Sequence, residues 1–259
     1  MTEGILEGKL GLVAGVANKR SIAWAIAQRL HEAGATLAFT YQGERLRDGV
    51  EKLAASIGSD LLVDCDAASD ESIQAAFQTV GEKLGGLDML VHSIAYAPAD
   101  AFTNRFIDTP RETFRVALDV SAYSLVAMAR AAEPLMTSRG GGSMVTMTYM
   151  ASERTFPKYN VMATAKAALE CSVRYLAYEL GPAAIRVNAI SAGPVRTLAA
   201  KGIEGFSEME RVIEERAPLG RNIDAQDVGN AALYLLSPLG SMVTGTTLYV
   251  DSGYHAMGM

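Results

Sequence analysis

Short apolar runs alternate with longer amphipathic stretches along the whole chain. The apolar runs have no polar residue at every second position, so they predict strands that are buried on both faces of a parallel sheet. The stretches between them repeat apolar residues at helical spacing, as Ile22, Ile26 and Leu30 do. The predicted strands cover residues 10–15, 36–41, 61–64, 87–92, 143–148, 185–190 and 247–250, and the predicted helices cover residues 21–33, 44–57, 69–84, 117–136, 159–180 and 225–236.

This alternation predicts an α/β fold with one doubly wound, Rossmann-like parallel sheet and helices on both faces. No linker, repeat or low-complexity tract interrupts it, so residues 1–259 are expected to form a single domain. The segment 193–206 does not fit the alternation. Glycines bracket a weakly amphipathic turn there, and the segment follows the carboxyl end of a strand, where such sheets bind ligands. We therefore expect a substrate lid at about 193–210.

Composition and charge exclude several classes of function. The chain is 49% hydrophobic and 20% charged with a net charge of −6, and it has no basic stripe, so nucleic acid is not expected as a partner. The start carries no signal sequence, and no apolar run reaches the ~20 residues of a membrane span, which predicts a cytoplasmic protein without a membrane partner. Cys65 and Cys171 form no CxxC motif, and the scattered residues His31, His92 and His255 have no metal-ligand spacing. No metal is expected.

The turn after the first strand has features of a phosphate-binding loop. Gly15 permits a tight turn, and Ser21 is placed to cap the next helix, whose positive end would face a pyrophosphate. The loop is not a GxGxxG motif. On its own it is a weak signal, because many α/β proteins have such a loop and bind nothing there.

The ends of the next strands suggest where the adenosine half of a dinucleotide would lie. Gln42 follows the second strand at the position that usually contacts the adenosine ribose. Gln42 is neutral, and the charges of Glu44 and Arg45 oppose each other, so no clear positive charge is available for a 2′-phosphate and NADH is modestly favoured over NADPH. Asp66 follows the third strand, where its carboxylate could accept from the adenine amino group or cap the helix that follows. Small residues after the fourth strand, at 93–97, would let a ribose approach the backbone closely.

Tyr159 and Lys166 are the candidate catalytic pair. They are seven positions apart in a predicted helix, which is nearly two turns and a rise of about 10 Å, so both side chains would share one face. A lysine beside a phenol favours phenolate and strengthens the phenol as a donor to a developing oxyanion. Such a pair is usually an accident of surface composition. Its position after the fifth strand of a nucleotide-binding pattern favours a site.

Several motifs together resemble one protein family. The usual Tyr-x3-Lys pair of short-chain dehydrogenase/reductases is absent, because the fourth residue after Tyr159 is Ala163. The Tyr-x6-Lys pair, the loop from Gly15 to Ser21-Ile22-Ala23, Tyr-Asn-Val-Met at 159–162 and the run Arg-Val-Asn-Ala-Ile-Ser-Ala-Gly-Pro-Val-Arg-Thr-Leu at 186–198 resemble a divergent branch instead. This branch is the NADH-dependent bacterial enoyl-(acyl-carrier-protein) reductases of the FabI type, and the resemblance covers essentially the whole chain.

The resemblance implies a reaction, a cofactor and a set of site residues. Hydride would pass from NADH to C3 of a trans-2-enoyl thioester, while Tyr159 donates to the enolate oxygen, Lys166 holds the nicotinamide ribose and Tyr149 lies near the substrate carbonyl. The NAD(P)-binding residues that it implies are Gly15, Ser21, Ile22, Gln42, Asp66, Ala67, Ile94, Lys166, Val195, Arg196, Thr197, Leu198 and Ala199. The substrate residues that it implies are Ala97, Tyr149, Tyr159, Met162 and Phe206.

The resemblance also implies partners. The acyl carrier protein would deliver the substrate, and we hypothesise that Arg196 and Lys201 help to receive it. A homotetramer is implied as well, and the helix at 159–180 supports an oligomer because it is apolar nearly all round.

Two other functions are compatible with the sequence. One is a carbonyl reductase of the same superfamily acting on 3-oxoacyl thioesters, which the Tyr-x6-Lys spacing disfavours. The other is a nucleotide-binding regulator without turnover, which the intact Tyr159 and Lys166 disfavour.

Ala95 departs from the commonest pattern of the family and would narrow the pocket, and Ala151 replaces a glycine beside Tyr149.

Overall fold

The computed structural model describes residues 4–197 and 206–258 and contains one parallel sheet. Its strands are β1 (Leu10–Ala14), β2 (Thr36–Tyr41), β3 (Leu62–Asp64), β4 (Met89–His92), β5 (Gly142–Thr148), β6 (Ile185–Ala192) and β7 (Thr247–Val250). They lie in the order β3-β2-β1-β4-β5-β6-β7, and every neighbouring pair is parallel. The strand order reverses direction between β1 and β4, which opens a crevice at their carboxyl ends.

Helices cover both faces of this sheet. The described helices are α1 (Ile22–Glu32), α2 (Glu44–Ser56), α3 (Asp70–Leu84), α4 (Asp100–Thr103), α5 (Arg111–Leu118), α6 (Ser124–Thr137), α7 (Val161–Leu180), α8 (Phe206–Arg216) and α9 (Ala225–Leu236). Within residues 4–197 and 206–258, no helix has both the length and the apolar character needed to cross a membrane.

Two hydrophobic cores lie on opposite faces of the sheet. One joins α1, α2 and α9 to the sheet, and the other joins α3, α6 and α7 to it. Successive residues of β1 alternate between them: Leu12 belongs to the second core and Val13 to the first, and both are fully buried. The strands are apolar runs because they are buried on both faces. The predicted doubly wound fold is confirmed.

Two predicted helices differ from the structure. The helix predicted at 117–136 consists of α5, a π-helical turn at Asp119–Tyr123, and α6. The helix predicted to begin at Tyr159 begins at Val161, because Lys158 and Asn160 have positive φ angles that no α-helix accommodates. Turns of π-helix occur often at functional sites, and this one packs against α7.

Candidate active site

A cavity of about 870 Å³ runs along the carboxyl ends of the strands. It begins beside the β1 and β2 ends and extends past β5 to the segment after β6. Thirteen of the predicted site residues line it, namely Gly15, Ser21, Ile22, Gln42, Asp66, Ala67, Ile94, Tyr149, Tyr159, Lys166, Val195, Thr197 and Phe206. The cavity is therefore one continuous site that contains both the predicted nucleotide residues and the predicted catalytic residues.

Gly15 lets two strand ends approach closely at one end of the cavity. Its φ is +105°, and a Cβ at this position would lie 2.1 Å from the backbone oxygen of Ser93. No side chain fits there. The missing Cβ thus lets the backbone after β1 lie against the backbone after β4, and Gly15 itself lines the cavity.

Ser21 has a different role from the predicted helix cap. Within residues 4–197 its hydroxyl makes no side-chain cap for α1 but accepts from the backbone N–H groups of Ala17 and Asn18, each at 3.1 Å. Ser21 is the N-cap residue of α1 as predicted, but its side chain does not cap the helix, because the hydroxyl points back into the loop. The hydroxyl fixes the loop shape and leaves the first turn of α1 without a side-chain acceptor.

Gln42 and Asp66 contact each other at the β2 and β3 ends. Gln42 Nε2 donates to Asp66 Oδ1 at 2.9 Å, and the same oxygen accepts from the Ala68 N–H at 3.0 Å. Asp66 is not the cap of α3, because Ser69 accepts from the Ser72 N–H in that position. The helix-cap alternative for Asp66 is therefore wrong, and its carboxylate faces the cavity.

Tyr149 and Tyr159 lie side by side in the wall of the cavity. Tyr149 follows β5 directly, whereas Tyr159 lies in the turn before α7, so the prediction that Tyr159 and Lys166 share one helix face is wrong. The two tyrosine ring centroids are 5.2 Å apart, and the ring of Phe156 also packs against Tyr149, with a centroid distance of 4.9 Å. The turn, rather than the helix, directs the Tyr159 phenol into the same cavity as Lys166.

Burial keeps both phenols protonated. It raises the pKa of Tyr159 and of Tyr149 well above the usual value for tyrosine, and the neighbouring Tyr159 adds to the shift of Tyr149. The expectation that Lys166 favours phenolate is wrong, because burial is the resolved cause of the Tyr159 shift. A neutral phenol is nevertheless the form that can donate a hydrogen bond to an oxyanion.

Lys166 projects from α7 and is almost completely buried, with 5% of its surface exposed. Its Nζ donates to the Met147 carbonyl oxygen at 2.7 Å. Burial lowers the pKa of Lys166 to about 8, and Glu170, one helical turn further on, opposes that shift. Glu170 is buried too and accepts from Thr148 Oγ1 at 2.6 Å. Glu170 thus places a negative charge near the ammonium from within the core.

His92 is a buried residue of this region whose surroundings the sequence did not indicate. Its two ring nitrogens lie 2.8 Å from Thr146 Oγ1 and 2.9 Å from Ser124 Oγ. Ser124 donates its proton to the Val120 carbonyl oxygen, so it accepts from His92 Nε2, and Thr146 donates to Nδ1. Burial, assisted by the charge of Lys166, lowers the pKa of His92 to about 3. His92 is thus a neutral structural link beneath the site.

The wall formed by α8 includes one residue that the sequence analysis missed. Phe206 and Met209 both line the cavity, and the Tyr149 hydroxyl donates to Met209 Sδ at 3.0 Å. Methionine in an amphipathic helix carries no distinctive signal in the sequence, so only the structure identifies this contact.

Three predicted site residues within the described ranges, Ala97, Met162 and Arg196, are not among the residues that line the cavity. Ala97 and Met162 belong to a small apolar cluster next to Tyr159. Arg196 is 81% exposed and donates from Nε to Glu210 Oε1 of α8 at 2.7 Å. Leu198, Ala199 and Lys201 lie outside the described residues. In the part of the chain that the structure describes, no cluster of His, Cys, Asp or Glu is arranged to hold a metal ion.

Comparisons with known proteins agree on one family. The family model described as enoyl-(acyl carrier protein) reductase matches residues 15–255. The chain is 50% identical to enoyl-(acyl-carrier-protein) reductase (NADH) 1 of Rhizobium meliloti strain 1021, a match that spans 99% of this chain and 93% of that protein. It is 49% identical to the NADH-dependent FabI reductase of Bacillus cereus, across 98% of this chain and 99% of that one.

Solved structures show the same similarity. The crystal structure of the enoyl-(acyl-carrier-protein) reductase of Anaplasma phagocytophilum in complex with NAD has a TM-score of 0.95 and 46% identity, covering 99% of this chain and 97% of that one. The Bacillus cereus reductase crystallised with NADP+ and an indole naphthyridinone has a TM-score of 0.96 and 49% identity, covering 98% and 99%.

Proposed function

The chain belongs to the enoyl-(acyl carrier protein) reductase family, and we propose that it reduces the double bond of a trans-2-enoyl thioester with NADH, the last reductive step of fatty acid elongation. The observation that carries this function is the continuity of the cavity. The Gly15 loop, the Gln42–Asp66 pair, Tyr159 and Lys166 all line the same 870 Å³ space.

The cavity fits a dinucleotide at both ends. Gly15 and Ser21 line the cavity where β1 passes into α1, and the first turn of α1, which has no side-chain cap within the described residues, suits a pyrophosphate. Gln42 and Asp66 would hold the adenosine end, and Lys166 would hold the nicotinamide ribose at the other. Val195 and Thr197, after β6, would flank the nicotinamide and the pyrophosphate.

The chain's own residues account for the chemistry at the acyl group. Bound NADH supplies the hydride that adds to C3 of the enoyl thioester. Negative charge then develops on the thioester oxygen, and Tyr159, which burial keeps protonated, donates a hydrogen bond to it. The resulting enolate takes a proton at C2, supplied in the end by water, to give the saturated thioester. Because this bond strengthens as the charge forms, it stabilises the transition state more than the bound substrate. Lys166 adds a positive charge in the same buried part of the cavity.

NADH is the cofactor of this enzyme. Both relatives described above are named as NADH-dependent. At the adenosine end, Gln42 is neutral and donates to Asp66, so this pair offers a carboxylate and an amide rather than a cation. A 2′-phosphate would meet negative charge there, which makes NADPH the weaker cofactor.

The acyl carrier protein delivers the substrate, and we infer a cytoplasmic homotetramer. The support for assembly is an exposed stripe on α7 formed by Ala167, Cys171, Tyr175 and Tyr178, in which the two tyrosines are 67% and 82% exposed. Large exposed aromatic side chains on one helix face are typical of a surface that a second chain covers.

The proposed lid at about 193–210 is supported at both of its described ends. Val195 and Thr197, before the part of the lid that the structure does not describe, and Phe206, after it, all line the cavity. Arg196 is a weaker candidate for receiving the carrier than the sequence suggested, because Glu210 already pairs with it. The pair instead joins the segment after β6 to α8.

An assay that follows NADH oxidation with two different thioester substrates tests the function. Purified protein is mixed with NADH and crotonyl thioester or acetoacetyl thioester, and NADH loss is followed with product identified by mass spectrometry. We expect saturated butyryl thioester from the first substrate and little turnover of the second. Preferential reduction of the acetoacetyl group would instead identify a carbonyl reductase.

A further inference from the structure

Two residues with unusual backbone geometry flank Tyr159. Lys158 has a φ of 70° and Asn160 a φ of 45°, and the ψ of Asn160 is −125°. Positive φ is uncommon for residues with a side chain, because the Cβ crowds the neighbouring backbone. The ψ of Asn160 also takes it away from the left-handed helical region into one that strongly favours glycine. Strain of this kind persists only where surrounding contacts determine it, and it is concentrated at functional sites.

The Asn160 side chain makes the contacts that hold this geometry. Its Nδ2 donates to the backbone oxygens of Ala101 at 3.0 Å and Asn104 at 2.9 Å. These carbonyls lie at the first turn and the end of the short helix α4, which cannot satisfy its last carbonyls internally. An asparagine amide carries two N–H groups, so one side chain can serve both oxygens at once.

The segment that Asn160 holds lies behind the catalytic phenol. Ala101 is 1% exposed and belongs to one apolar cluster with Val161 and Met162, and Tyr159 packs against that cluster. The backbone of Tyr159 is itself held by turns, since its N–H donates to Phe156 and its carbonyl accepts from Met162. These two hydrogen bonds fix Tyr159 in the turn that Lys158 and Asn160, the two residues with positive φ, complete on either side of it.

We propose that Asn160 is a positioning residue for Tyr159: its strained backbone directs the phenol into the cavity, and its amide anchors the Ala101–Asn104 segment that supports the phenol from behind. This inference rests on the proposed function, because it concerns the placement of the donor in that reaction. Asn160 itself is not among the described residues that line the cavity. It acts through Tyr159 and touches neither reactant.

Two variants remove the amide donors, one with the backbone strain relieved and one with it kept. Asn160→Gly tolerates the backbone angles but loses both donors, and Asn160→Asp keeps the shape but presents a carboxylate to two carbonyl oxygens. Ala184→Gly is the matched control, because Ala184 is exposed, has a φ of 57° and lies far along the chain at the start of β6. Both glycine variants relieve a positive φ, but only one removes a contact near Tyr159.

The measurements are kcat and KM for crotonyl thioester, the Kd for NADH by fluorescence titration, and the melting temperature. We expect both Asn160 variants to lose about tenfold to a hundredfold in kcat, because displacing the Tyr159 phenol by roughly 1 Å from the substrate oxygen should have such an effect. Their Kd for NADH should stay near that of the parent, and Ala184→Gly should keep the parent kcat.

Several results would overturn the inference. One is a parent-like kcat in either folded Asn160 variant. Another is a kcat loss that is matched by lost NADH binding and a lower melting temperature, since that pattern indicates a merely structural role. An inactive parent protein would instead refute the proposed function, so the two failures can be told apart.

Discussion

The rings of Tyr149 and Tyr159 lie 5.2 Å apart between centroids and are tilted by 58°, with both hydroxyl-bearing side chains in one cavity wall. The two phenols have different surroundings. Tyr149 donates to the Met209 thioether at 3.0 Å, which holds α8 against the end of β5. Tyr159 faces the cavity from its turn, and this difference assigns the two tyrosines different roles.

Replacing Tyr149 with phenylalanine should therefore have a modest effect. The variant loses one hydrogen bond to a neutral acceptor, which is worth about 1 kcal/mol, or roughly fivefold in kcat/KM. We expect most of this loss in the KM for the acyl substrate, because Met209 lines the cavity wall. Steady-state kinetics with crotonyl thioester measure it, and a loss of kcat as large as that of Tyr159→Phe would contradict the assignment.

The buried Lys166 should set an alkaline limit on activity. Its pKa is lowered to about 8, so its charge is present below that pH and is lost as the pH rises through it. If the ammonium holds the cofactor, kcat/KM for NADH should fall above about pH 8, since this parameter reports the pKa values of the free enzyme. A profile that stays flat to about pH 10 would contradict the role of the charge.

Glu170 should move that limit. Its carboxylate opposes the burial shift and raises the pKa of Lys166, so Glu170→Gln should move the alkaline limb to lower pH. Glu179→Gln is the matched control, because Glu179 lies on the same helix and is exposed. If kcat/KM for NADH fell at the same alkaline pH in both variants, Lys166 would not control that fall.

Gly15 should tolerate no side chain. In Gly15→Ala the new Cβ would lie 2.1 Å from the Ser93 oxygen at a φ of +105°, so the loop must move and NADH binding should be lost. Gly58→Ala provides the control, because Gly58 also has a positive φ of 72° but a Cβ there would meet no atom within 4 Å. Strain alone costs about 1–3 kcal/mol in either variant. Equal NADH affinities by titration would show that the close approach to Ser93 is unimportant.

The exposed stripe on α7 should lie in a subunit interface. Light scattering after size exclusion should give four times the chain mass of 27.5 kDa. The double variant Tyr175→Glu with Tyr178→Glu should lower that mass, whereas Ile107→Glu, at a residue that is 75% exposed on another segment, should not. A parent protein that elutes only as a 27.5 kDa species would refute the assembly.

The sequence predicted the sheet well because its strands are buried on both faces. Leu12 and Val13 point into opposite cores, so burial alone makes β1 an apolar run that can be recognised without the structure. The residues along the cavity were also predictable, since Gly15, Gln42 and Asp66 all follow strand ends that a parallel sheet brings to one edge.

The turn that carries Tyr159 was not predictable from local pattern. Residues 158–160 include no glycine, yet Lys158 and Asn160 have positive φ angles, and the Asn160 amide is held by the backbone of Ala101 and Asn104, which are remote in sequence. The partners of Ser21 and Arg196 depend in the same way on loop and helix positions that spacing alone does not give. Tertiary contacts overrode the helical pattern at Tyr159, although its placement in the cavity was expected.

The most direct test of the account is the single-turnover rate of crotonyl thioester reduction by Tyr159→Phe with saturating NADH. Removing a donor to a developing oxyanion typically costs about 3 kcal/mol, so the rate should fall by a hundredfold or more while the Kd for NADH stays unchanged. A Tyr159→Phe variant that reduces the thioester at the parent rate would contradict the central claim.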